Sequence, residues 1–420
     1  MKLDTEYVRA QFPAFAKSSL RKHAFFDCAA GSYPCAPVVD RLSRFYTERK
    51  VQPYAPYKVS QKAGEEMDEA RRRMAAMLGV APDEISFGPS TTANTYVMSH
   101  AFAEALGPGD AIIVTNQDHE ANSGPWRRLE HQGVEVREWR MHPDTGHLDP
   151  GDLAALLDEN VRLVAFTHCS NIVGEINDAK AIIAMCHAAG AVTAVDGVSY
   201  APHGLPDVGA LGADMYFLST YKTYGPHQGI MVIRRDLAGA LPCQGHYFNA
   251  DMLYKRFTPA GPDHAQIAAC AGIADYWDAL YAHHFVEDQP VLERVASVNR
   301  LMREKEQRVM APLLDYLAGK NMIRLIGPKG VQNRAPTVAI VAEKPGVDLA
   351  ARLARRKINT DGGDFYAVRA LEGLGINVDH GVLRLSFVHY TKRAEVDRLI
   401  EALDHVLSGA GTAPKTGAGI

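Results

Sequence analysis

Residues 191–229 decide the fold, and they read AVTAVDGVSYAPHGLPDVGALGADMYFLSTYKTYGPHQG. Two apolar runs, Ala191–Val195 and Met215–Ser219, are each followed by an ionisable residue, Asp196 after the first and Lys222 shortly after the second. Short runs of this kind, bounded by turn residues, are typical of strands buried on both faces. The stretch therefore predicts two strands of an internal sheet with charged groups at their ends.

The same alternation extends outward from this stretch. From about Asp110 to Arg235, short apolar runs alternate with helical patterns, which is typical of a parallel sheet with crossover helices. The further runs in this region are Ala111–Thr115, Val134–Trp139, Val161–Thr167 and Ile230–Arg234, and a short run, Ile85–Gly88, lies upstream of it. Helices are predicted at Gly64–Leu78, from Thr91 onward, and at Ser123–Gln132, Asp152–Asp158 and Asp178–Ala189. The sequence thus predicts an α/β fold.

Beyond this region the pattern changes to long helices and then to a smaller unit. The predicted helices are Pro262–Tyr281, Pro290–Leu317, Asp348–Arg356 and Arg393–Leu407, and the predicted strands are Thr337–Val341 and Val382–Phe387. We expect an N-terminal segment (1–20) that packs with the small domain, a large domain (21–285), a small C-terminal α+β domain (286–408) and a disordered tail (409–420).

Composition excludes several classes of function. The chain has 420 residues with 45 Lys and Arg against 49 Asp and Glu, a formal net charge of −4. Mixed charges of nearly equal number give no basis for a nucleic-acid or membrane partner, and no apolar run approaches the ~18–20 residues of a membrane span. The six cysteines form no Cys-x-x-Cys pair, so no metal site is predicted. We expect a cytoplasmic protein.

Polar residues that follow strands are the first candidates for a site, because open parallel sheets bind ligands at the carboxyl ends of their strands. Ser90 and Thr91 follow a strand and open a helix, where hydroxyl and backbone N–H groups could hold a phosphate; an ordinary helix cap is the alternative. His119 could stack on a planar cofactor, and the alternative is a histidine in a surface loop. Asn171 could bind a phenolic oxygen, and the alternative is a turn residue.

Asp196 and Lys222 carry the strongest chemical signal. A carboxylate that ends an apolar strand needs a cationic or hydrogen-bonding partner, such as a pyridinium nitrogen, although it could also cap a helix. A lysine flanked by apolar sequence could be semi-buried and suited to Schiff-base chemistry, although a lone loop lysine is usually solvated. A pyridoxal 5′-phosphate site needs these residue types together. They follow successive strands in the order hydroxyl residues, His, Asn, Asp and Lys.

At these residues the chain resembles the class V aminotransferases, which are fold-type I enzymes that use pyridoxal phosphate, and within them the cysteine desulfurase and selenocysteine lyase branch. The resemblance spans about residues 20 to 405. The matching segments are Phe26–Ser32, Phe87–Thr92, Asp118–Asn122 with Pro125 and Trp126, Ser170–Gly174, Val195–Val198 with Ala201–His203, Ser219–Gly229, Leu383–Phe387, His389–Thr391 and Glu395–Arg398.

The resemblance implies a large domain with a mostly parallel, seven-stranded sheet, a smaller C-terminal domain and a homodimer that acts on a small amino-acid substrate. It also implies roles for individual residues. Lys222 forms the Schiff base and moves the Cα proton, Asp196 pairs with the pyridine nitrogen, His119 stacks on the ring and Asn171 contacts its hydroxyl. The residues implied to hold the cofactor phosphate or its surroundings are Ser90, Thr91, Ser199, Ser219 and Tyr221. Arg384, Ala30 and Tyr366 are implied to contact the substrate; a surface arginine is the alternative for Arg384.

Three departures from the branch matter. The desulfurases carry a nucleophilic cysteine shortly before the carboxylate-binding arginine, but the corresponding stretch here, Asp361–Ala367, has none, and no cysteine follows Cys270. Ser199 replaces a usual glutamine, and Tyr221 replaces a usual phosphate-binding histidine. Transfer of sulfur through an enzyme persulfide would need another cysteine, Cys28 or Cys243, to substitute.

The leading hypothesis is therefore a lyase that removes the β-substituent of an L-amino acid without an enzyme persulfide. Transamination, epimerisation at Cα, and a decarboxylating or oxidative reaction remain open, because the same cofactor serves all of them and pocket geometry selects among them. A noncatalytic protein that binds pyridoxal phosphate is the third alternative.

Overall fold

The computed structural model describes residues 1–407, so the tail predicted at 409–420 lies outside the described residues. The strands are β1 (Ala24–Phe25), β2 (Ile85–Gly88), β3 (Ala111–Thr115), β4 (Glu135–Trp139), β5 (Val161–Thr167), β6 (Val192–Asp196), β7 (Met215–Ser219), β8 (Gly229–Ile233), β9 (Arg324–Leu325), β10 (Thr337–Val341), β11 (Ile358–Asn359), β12 (Asp361–Gly363) and β13 (Val382–Ser386).

Helices alternate with these strands along the chain. They are α1 (Thr5–Ala10), α2 (Ala36–Arg44), α3 (Lys58–Leu78), α4 (Thr91–Ala105), α5 (Gly124–Arg127), α6 (Pro150–Leu156), α7 (Ala179–Ala188), α8 (Val208–Leu211), α9 (Arg235–Ala240), α10 (Leu253–Arg256), α11 (His264–Ala269), α12 (Ala271–His284), α13 (Val291–Ala318), α14 (Gly346–Ala354), α15 (Val368–Gly373) and α16 (Arg393–Leu407). Nowhere in residues 1–407 is a helix both long enough and apolar enough to cross a membrane.

The large sheet has seven strands in the order β2-β8-β7-β6-β5-β3-β4. Strand β8 runs antiparallel to both of its neighbours, β2 and β7, and the remaining neighbours pair in parallel. The central strands β6, β7 and β8 are almost wholly buried, which is why most of their residues are apolar. The predicted mostly parallel, seven-stranded α/β fold is confirmed.

A smaller antiparallel sheet, in the order β12-β13-β10-β9, forms beside the large one. Helices α14 and α16 and the C-terminal half of α13 pack on it through a separate apolar cluster that includes Leu313, Leu353 and Leu403. Its middle strands follow the predicted runs closely, whereas the three-residue strand β12 has no apolar residue and was not predicted.

The N-terminal segment contacts both halves of the chain. The Tyr7 ring stacks on His283 at a centroid distance of 3.6 Å, and Arg9 forms a 3.0 Å ion pair with Glu395. The division into a 1–20 segment, a 21–285 domain and a 286–408 domain is retained as a proposal.

Two helix predictions were wrong in detail. The single helix expected at Pro262–Tyr281 is two helices, α11 and α12, that meet at Cys270. Just after this junction, Gly272 lies so close to α2 that an added Cβ would be 2.6 Å from the backbone nitrogen of Val38. The helix expected at Ser123–Gln132 is the short α5 followed by a 3₁₀ turn, Arg128–Gln132.

A glycine contact joins the large sheet to the start of α4. A Cβ at Gly229, the first residue of β8, would lie 2.5 Å from the carbonyl carbon of Ser90 and 2.8 Å from the nitrogen of Thr91. The sheet and the helix N-terminus can therefore approach this closely because residue 229 has no side chain.

We predict that Gly229→Ala lowers the free energy of unfolding by about 1–3 kcal/mol, because the backbone of Ser90 and Thr91 must move to admit the methyl group. Urea denaturation measures it. The matched control is Gly239→Ala on the exposed side of α9, where an added Cβ meets none of the described atoms within 4 Å. Equal stability of the two variants would contradict the assigned packing.

Candidate active site

The carboxyl ends of the large-sheet strands and the loop before α15 enclose one cavity of about 1220 Å³. All of the residues singled out from the sequence line it, namely Ala30, Ser90, Thr91, His119, Asn171, Asp196, Ser199, Ser219, Tyr221, Lys222, Tyr366 and Arg384. Residues that are up to 354 positions apart are brought together because parallel strands present their carboxyl ends at the same edge of the sheet.

Lys222 lies in a short 3₁₀ turn directly after β7 and is 6 % exposed, which excludes the alternative of a solvated loop lysine. Burial, with a smaller contribution from the positive charge of Arg384, lowers the pKa of its amine to about 8. A lysine with such a pKa carries a sizeable fraction of uncharged, nucleophilic amine near neutral pH.

Asp196 is the last residue of β6, and in the parallel pair it is opposite Phe217 of β7. It is 4 % exposed, and its Oδ1 accepts the backbone N–H of Val198 at 2.8 Å. Burial raises the pKa of this carboxyl group, and Lys222 opposes the shift. A buried carboxylate at the end of a strand is stabilised by a cationic group placed against it.

His119 lies in the loop after β3, where its Nδ1 accepts the backbone N–H of Ala121 at 3.0 Å. The proton of the neutral ring is therefore on Nε2. Burial, with contributions from Lys222 and Arg384, lowers the pKa of His119 to about 3, so the ring is uncharged over the physiological range. A neutral imidazole offers a flat face for stacking.

Hydroxyl groups gather at the N-terminus of α4. The Thr91 and Ser219 hydroxyls are hydrogen-bonded at 2.8 Å, and the Ser90 Oγ caps the helix by accepting the N–H of Ala93 at 3.1 Å. Tyr221 lies beside them, with burial raising the pKa of its phenol. Free N–H groups of a 15-residue helix and nearby hydroxyls suit a phosphate.

Arg384 lies in β13 of the small sheet and reaches the cavity with 2 % exposure, which excludes a surface arginine. Its Nη2 donates to Asp27 Oδ1 at 3.3 Å and its Nη1 to the Asn171 carbonyl oxygen at 3.4 Å. The guanidinium carbon lies 3.7 Å from the centre of the Phe365 ring. The plane of the guanidinium is thus fixed from three sides.

The donor set fits pyridoxal phosphate and an amino acid. The side chain of Asn171 donates through Nδ2 to the Phe365 carbonyl at 3.1 Å, but its buried Oδ1 has no hydrogen-bond partner within residues 1–407. The buried Nε of Arg384 also has none there. Unsatisfied buried polar atoms are costly, so these two atoms are the natural contacts of a ligand's hydroxyl and carboxylate groups.

The loop before α15 crosses the cavity without a cysteine. Phe365 and Tyr366 both adopt positive φ, 54° and 57°, and the Tyr366 carbonyl accepts the backbone N–H of Glu120 at 2.8 Å. Of the cysteines, Cys169 lines the cavity, and burial raises the pKa of its thiol to about 12. Burial also raises the pKa of the Cys28 thiol, which contacts the Tyr390 hydroxyl at 3.2 Å.

Sequence reasoning missed three residues of the site. Asp27 pairs with Arg384, Phe365 packs on it, and His227 stacks on Tyr221 with ring centres 4.8 Å apart and an interplanar angle of 4°. Asp27 and His227 lie within the segments that match the family, Phe26–Ser32 and Ser219–Gly229. Their position in these segments is the sequence signal that could have identified them. Across residues 1–407 no group of three or more metal-ligating side chains is present.

Comparison with known proteins identifies the family of this chain. The family model described as "Aminotransferase class-V" matches residues 24–274 and 290–399. The chain is 35 % identical to the "Aminotransferase-like protein FGM3" of Gibberella zeae, over 96 % of this chain and 98 % of that protein. It is 30 % identical to a "Cysteine desulfurase" of Pectobacterium atrosepticum, over 97 % and 98 %.

Solved structures share the fold. A cysteine desulfurase from Thermococcus onnurineus matches with a TM-score of 0.84 at 23 % identity, over 97 % of this chain and 99 % of that one. The cysteine desulfurase CsdA from Escherichia coli matches with a TM-score of 0.79 at 24 % identity, over the same shares. With the family match over nearly the whole length, this chain belongs to the class V aminotransferase family, in its cysteine desulfurase-like branch, and is a pyridoxal-phosphate-dependent enzyme.

Proposed function

We propose that the protein is a β-elimination lyase that cleaves the bond between Cβ and sulfur of an S-substituted L-cysteine without forming a persulfide on the enzyme. One observation carries the proposal. A buried lysine of low pKa, Lys222, and a buried arginine, Arg384, line the same cavity. The loop that bears the nucleophilic cysteine in desulfurases bears Phe365 and Tyr366 here.

In this proposal, residues that line the cavity hold the cofactor at its phosphate and at its ring. Ser90, Thr91, Ser219 and Tyr221 hold the phosphate at the N-terminus of α4, with Ser199 nearby. Asp196 faces the ring nitrogen, His119 stacks on the ring and Asn171 Oδ1 contacts the ring hydroxyl. When bound, pyridoxal phosphate supplies an electron sink for the electrons left at Cα after its proton is removed.

Arg384 binds the substrate's α-carboxylate. Its guanidinium is already oriented by Asp27 and Phe365, and its unpaired Nε is available for a two-point contact with a carboxylate. Because the site excludes most water around Arg384, this contact is stronger than a surface ion pair. Ala30 and Tyr366 line the remaining path of the substrate.

The Nζ of Lys222 takes the Cα proton, which a pKa near 8 permits at physiological pH. Loss of the Cα proton is followed by cleavage of the Cβ–S bond, whose electron pair leaves with the thiolate. Aminoacrylate is released and reacts with water, so one S-substituted cysteine and one water yield one thiol, one pyruvate and one ammonia. No oxidant or second substrate is required.

The cysteines support this route over a persulfide. A persulfide needs an accessible thiolate near the substrate sulfur. Cys169 lines the cavity, but burial raises the pKa of its thiol to about 12 and its Sγ faces backbone carbonyl oxygens at 3.8 and 3.9 Å. Cys28 is buried against Tyr390, and Cys243 does not line the cavity.

A homodimer and a cytoplasmic location complete the proposal. Tyr247 and Phe248 expose 89 % and 66 % of their surface on neighbouring positions, and large exposed aromatic side chains are frequent at subunit contacts. This feature supports the dimer, while the location stays a prediction.

We predict that the wild-type protein releases pyruvate from S-substituted L-cysteines and that Lys222→Ala lowers the rate at least about 1000-fold, because the proton acceptor is removed. A coupled lactate dehydrogenase assay measures pyruvate. The matched control is Lys180→Ala, which removes an exposed lysine of α7 and leaves the rate unchanged.

Transamination is the outcome that would contradict the lyase. In that case keto acid forms only when a second amino acceptor is added, and pyridoxamine phosphate accumulates without one. Absorbance spectra taken during the same assay distinguish the two reactions.

A second prediction concerns pH. The rate at which apoprotein takes up pyridoxal phosphate should rise with pH and level off, with a midpoint near 8, because the uncharged amine attacks the aldehyde and Lys222 loses its proton at about that pH. Arg384→Gln should move the midpoint upward, since the Arg384 charge lowers the pKa of Lys222. Stopped-flow absorbance follows the uptake, and a midpoint above 10 in the wild type would contradict the buried amine.

A further inference from the structure

A buried tyrosine two residues after Lys222 has a strained backbone. Tyr224 adopts a φ of 63°, and 0 % of its surface is exposed. A left-handed backbone is unfavourable for a bulky aromatic residue, and it persists only where surrounding contacts hold it. The turn that carries Lys222 therefore has a conformation that other parts of the chain must maintain.

Backbone hydrogen bonds hold this turn against the segment 32–35. The Tyr224 N–H donates to the hydroxyl of Ser32 at 3.1 Å, and that hydroxyl donates to the Lys222 carbonyl oxygen at 2.8 Å. The Tyr224 carbonyl oxygen accepts the N–H of Cys35 at 3.0 Å. These contacts fix the backbone from Lys222 to Tyr224 and so set the direction of the Tyr224 side chain.

The Tyr224 hydroxyl joins two further segments. It donates to the carbonyl oxygen of Pro202, which has no proton to give, and it lies 3.1 Å from His389 Nδ1. Because the hydroxyl has a single proton, Nδ1 of His389 must be the donor in the second bond. The Nε2 of the same ring is then left to accept from the Tyr276 hydroxyl at 2.6 Å.

This assignment requires an uncharged His389. The ring is 0 % exposed, and burial, with contributions from His203 and Lys305, lowers its pKa to about 3. The tautomer with its proton on Nδ1 gives each hydrogen bond in the series from Tyr276 to Pro202 one donor and one acceptor. Such a buried series fixes its members relative to one another, because breaking one bond leaves a buried polar group unpaired.

Each of the three segments that meet at the Tyr224 hydroxyl also carries an ionisable residue of the active site. These residues precede Tyr224, Pro202 and His389 by two, six and five positions, and they are Lys222, Asp196 and Arg384. Within residues 1–407, neither Tyr224 nor His389 lines the cavity. Both can therefore act on the site only through the segments that they join.

We propose that Tyr224 and His389 are positioning residues that hold the amine of Lys222 in place relative to Asp196 and Arg384. The inference rests on the proposed role of Lys222 as the lysine that binds the cofactor, and it does not depend on which reaction follows. Displacing a reacting group by about 1 Å can lower a rate about 100-fold, so hydrogen bonds outside the cavity affect chemistry inside it.

The variant Tyr224→Phe removes the hydroxyl and keeps the ring. At a pH above the midpoint of cofactor uptake, we expect its apoprotein to take up pyridoxal phosphate about tenfold more slowly than the wild type, because the uncharged amine is no longer held in place. The midpoint itself should stay near 8, since the substitution changes no charge. Stopped-flow absorbance measures the uptake, and circular dichroism with urea denaturation shows that each variant is folded.

The matched control is Tyr281→Phe. It also deletes the hydroxyl of a buried tyrosine, which belongs to α12 and donates to the Glu287 carbonyl oxygen at 2.7 Å. This hydroxyl lies outside the series that reaches Lys222, so its loss should leave the uptake rate unchanged.

Two variants of equal shape at His389 separate position from stability. In His389→Asn the amide N–H takes the place of Nδ1–H and can still donate to the Tyr224 hydroxyl, whereas His389→Leu has no donor. We expect the Asn variant to take up the cofactor about threefold faster than the Leu variant, because one hydrogen bond is kept. Urea denaturation should show the Leu variant to be at least as stable, because the buried amide oxygen of Asn is left unpaired. An order of rates opposite to the order of stabilities cannot arise from stability alone.

The outcomes separate this inference from the role of Lys222. If Tyr224→Phe takes up the cofactor as fast as Tyr281→Phe, or if His389→Asn is no faster than His389→Leu, the positioning role is refuted while the role of Lys222 stands. If borohydride reduction of the wild-type holoenzyme labels a lysine other than Lys222, both are refuted. Slower uptake by Tyr224→Phe with an unchanged midpoint supports the positioning role.

Discussion

The site depends on two buried ionisable groups held at the edge of one sheet. Asp196 ends β6, and Lys222 follows the neighbouring parallel strand β7. Burial pushes both groups toward their neutral forms, raising the pKa of the carboxyl group and lowering that of the amine. Neither the carboxylate of Asp196 nor the ammonium of Lys222 is favourable there alone. The stability of this buried pair therefore depends on the group that lies between the two side chains. The rest of the cavity is arranged around this pair.

Arg384 brings the small sheet into the same site. It comes from β13 but contacts Asp27 and the Asn171 carbonyl oxygen, which belong to other parts of the chain. The loop from Asp361 onward closes the cavity through backbone contacts, with the Phe365 carbonyl on Asn171 and the Tyr366 carbonyl on Glu120. Aromatic side chains and carboxylates thus line the cavity along this loop, and none of its residues from Asp361 to Ala367 is a cysteine.

Much of this could be predicted from sequence because buried parallel strands are continuously apolar and polar residues mark their ends. The runs at Ile85–Gly88, Ala111–Thr115 and Met215–Ser219 coincide with strands, and the residues after them line the cavity. The break at Cys270 was missed because the apolar pattern continues across it. The pairing of Asp27 with Arg384 joins remote segments, which local patterns do not encode.

The most direct test of this account is to reduce the purified holoenzyme with borohydride and map the modified peptide by mass spectrometry. Reduction fixes the cofactor to the amine that carries it. The account predicts one pyridoxyl group per chain, on Lys222, and none in the Lys222→Ala variant. A label on another lysine, or a protein that takes up pyridoxal phosphate without any fixed label, would contradict it.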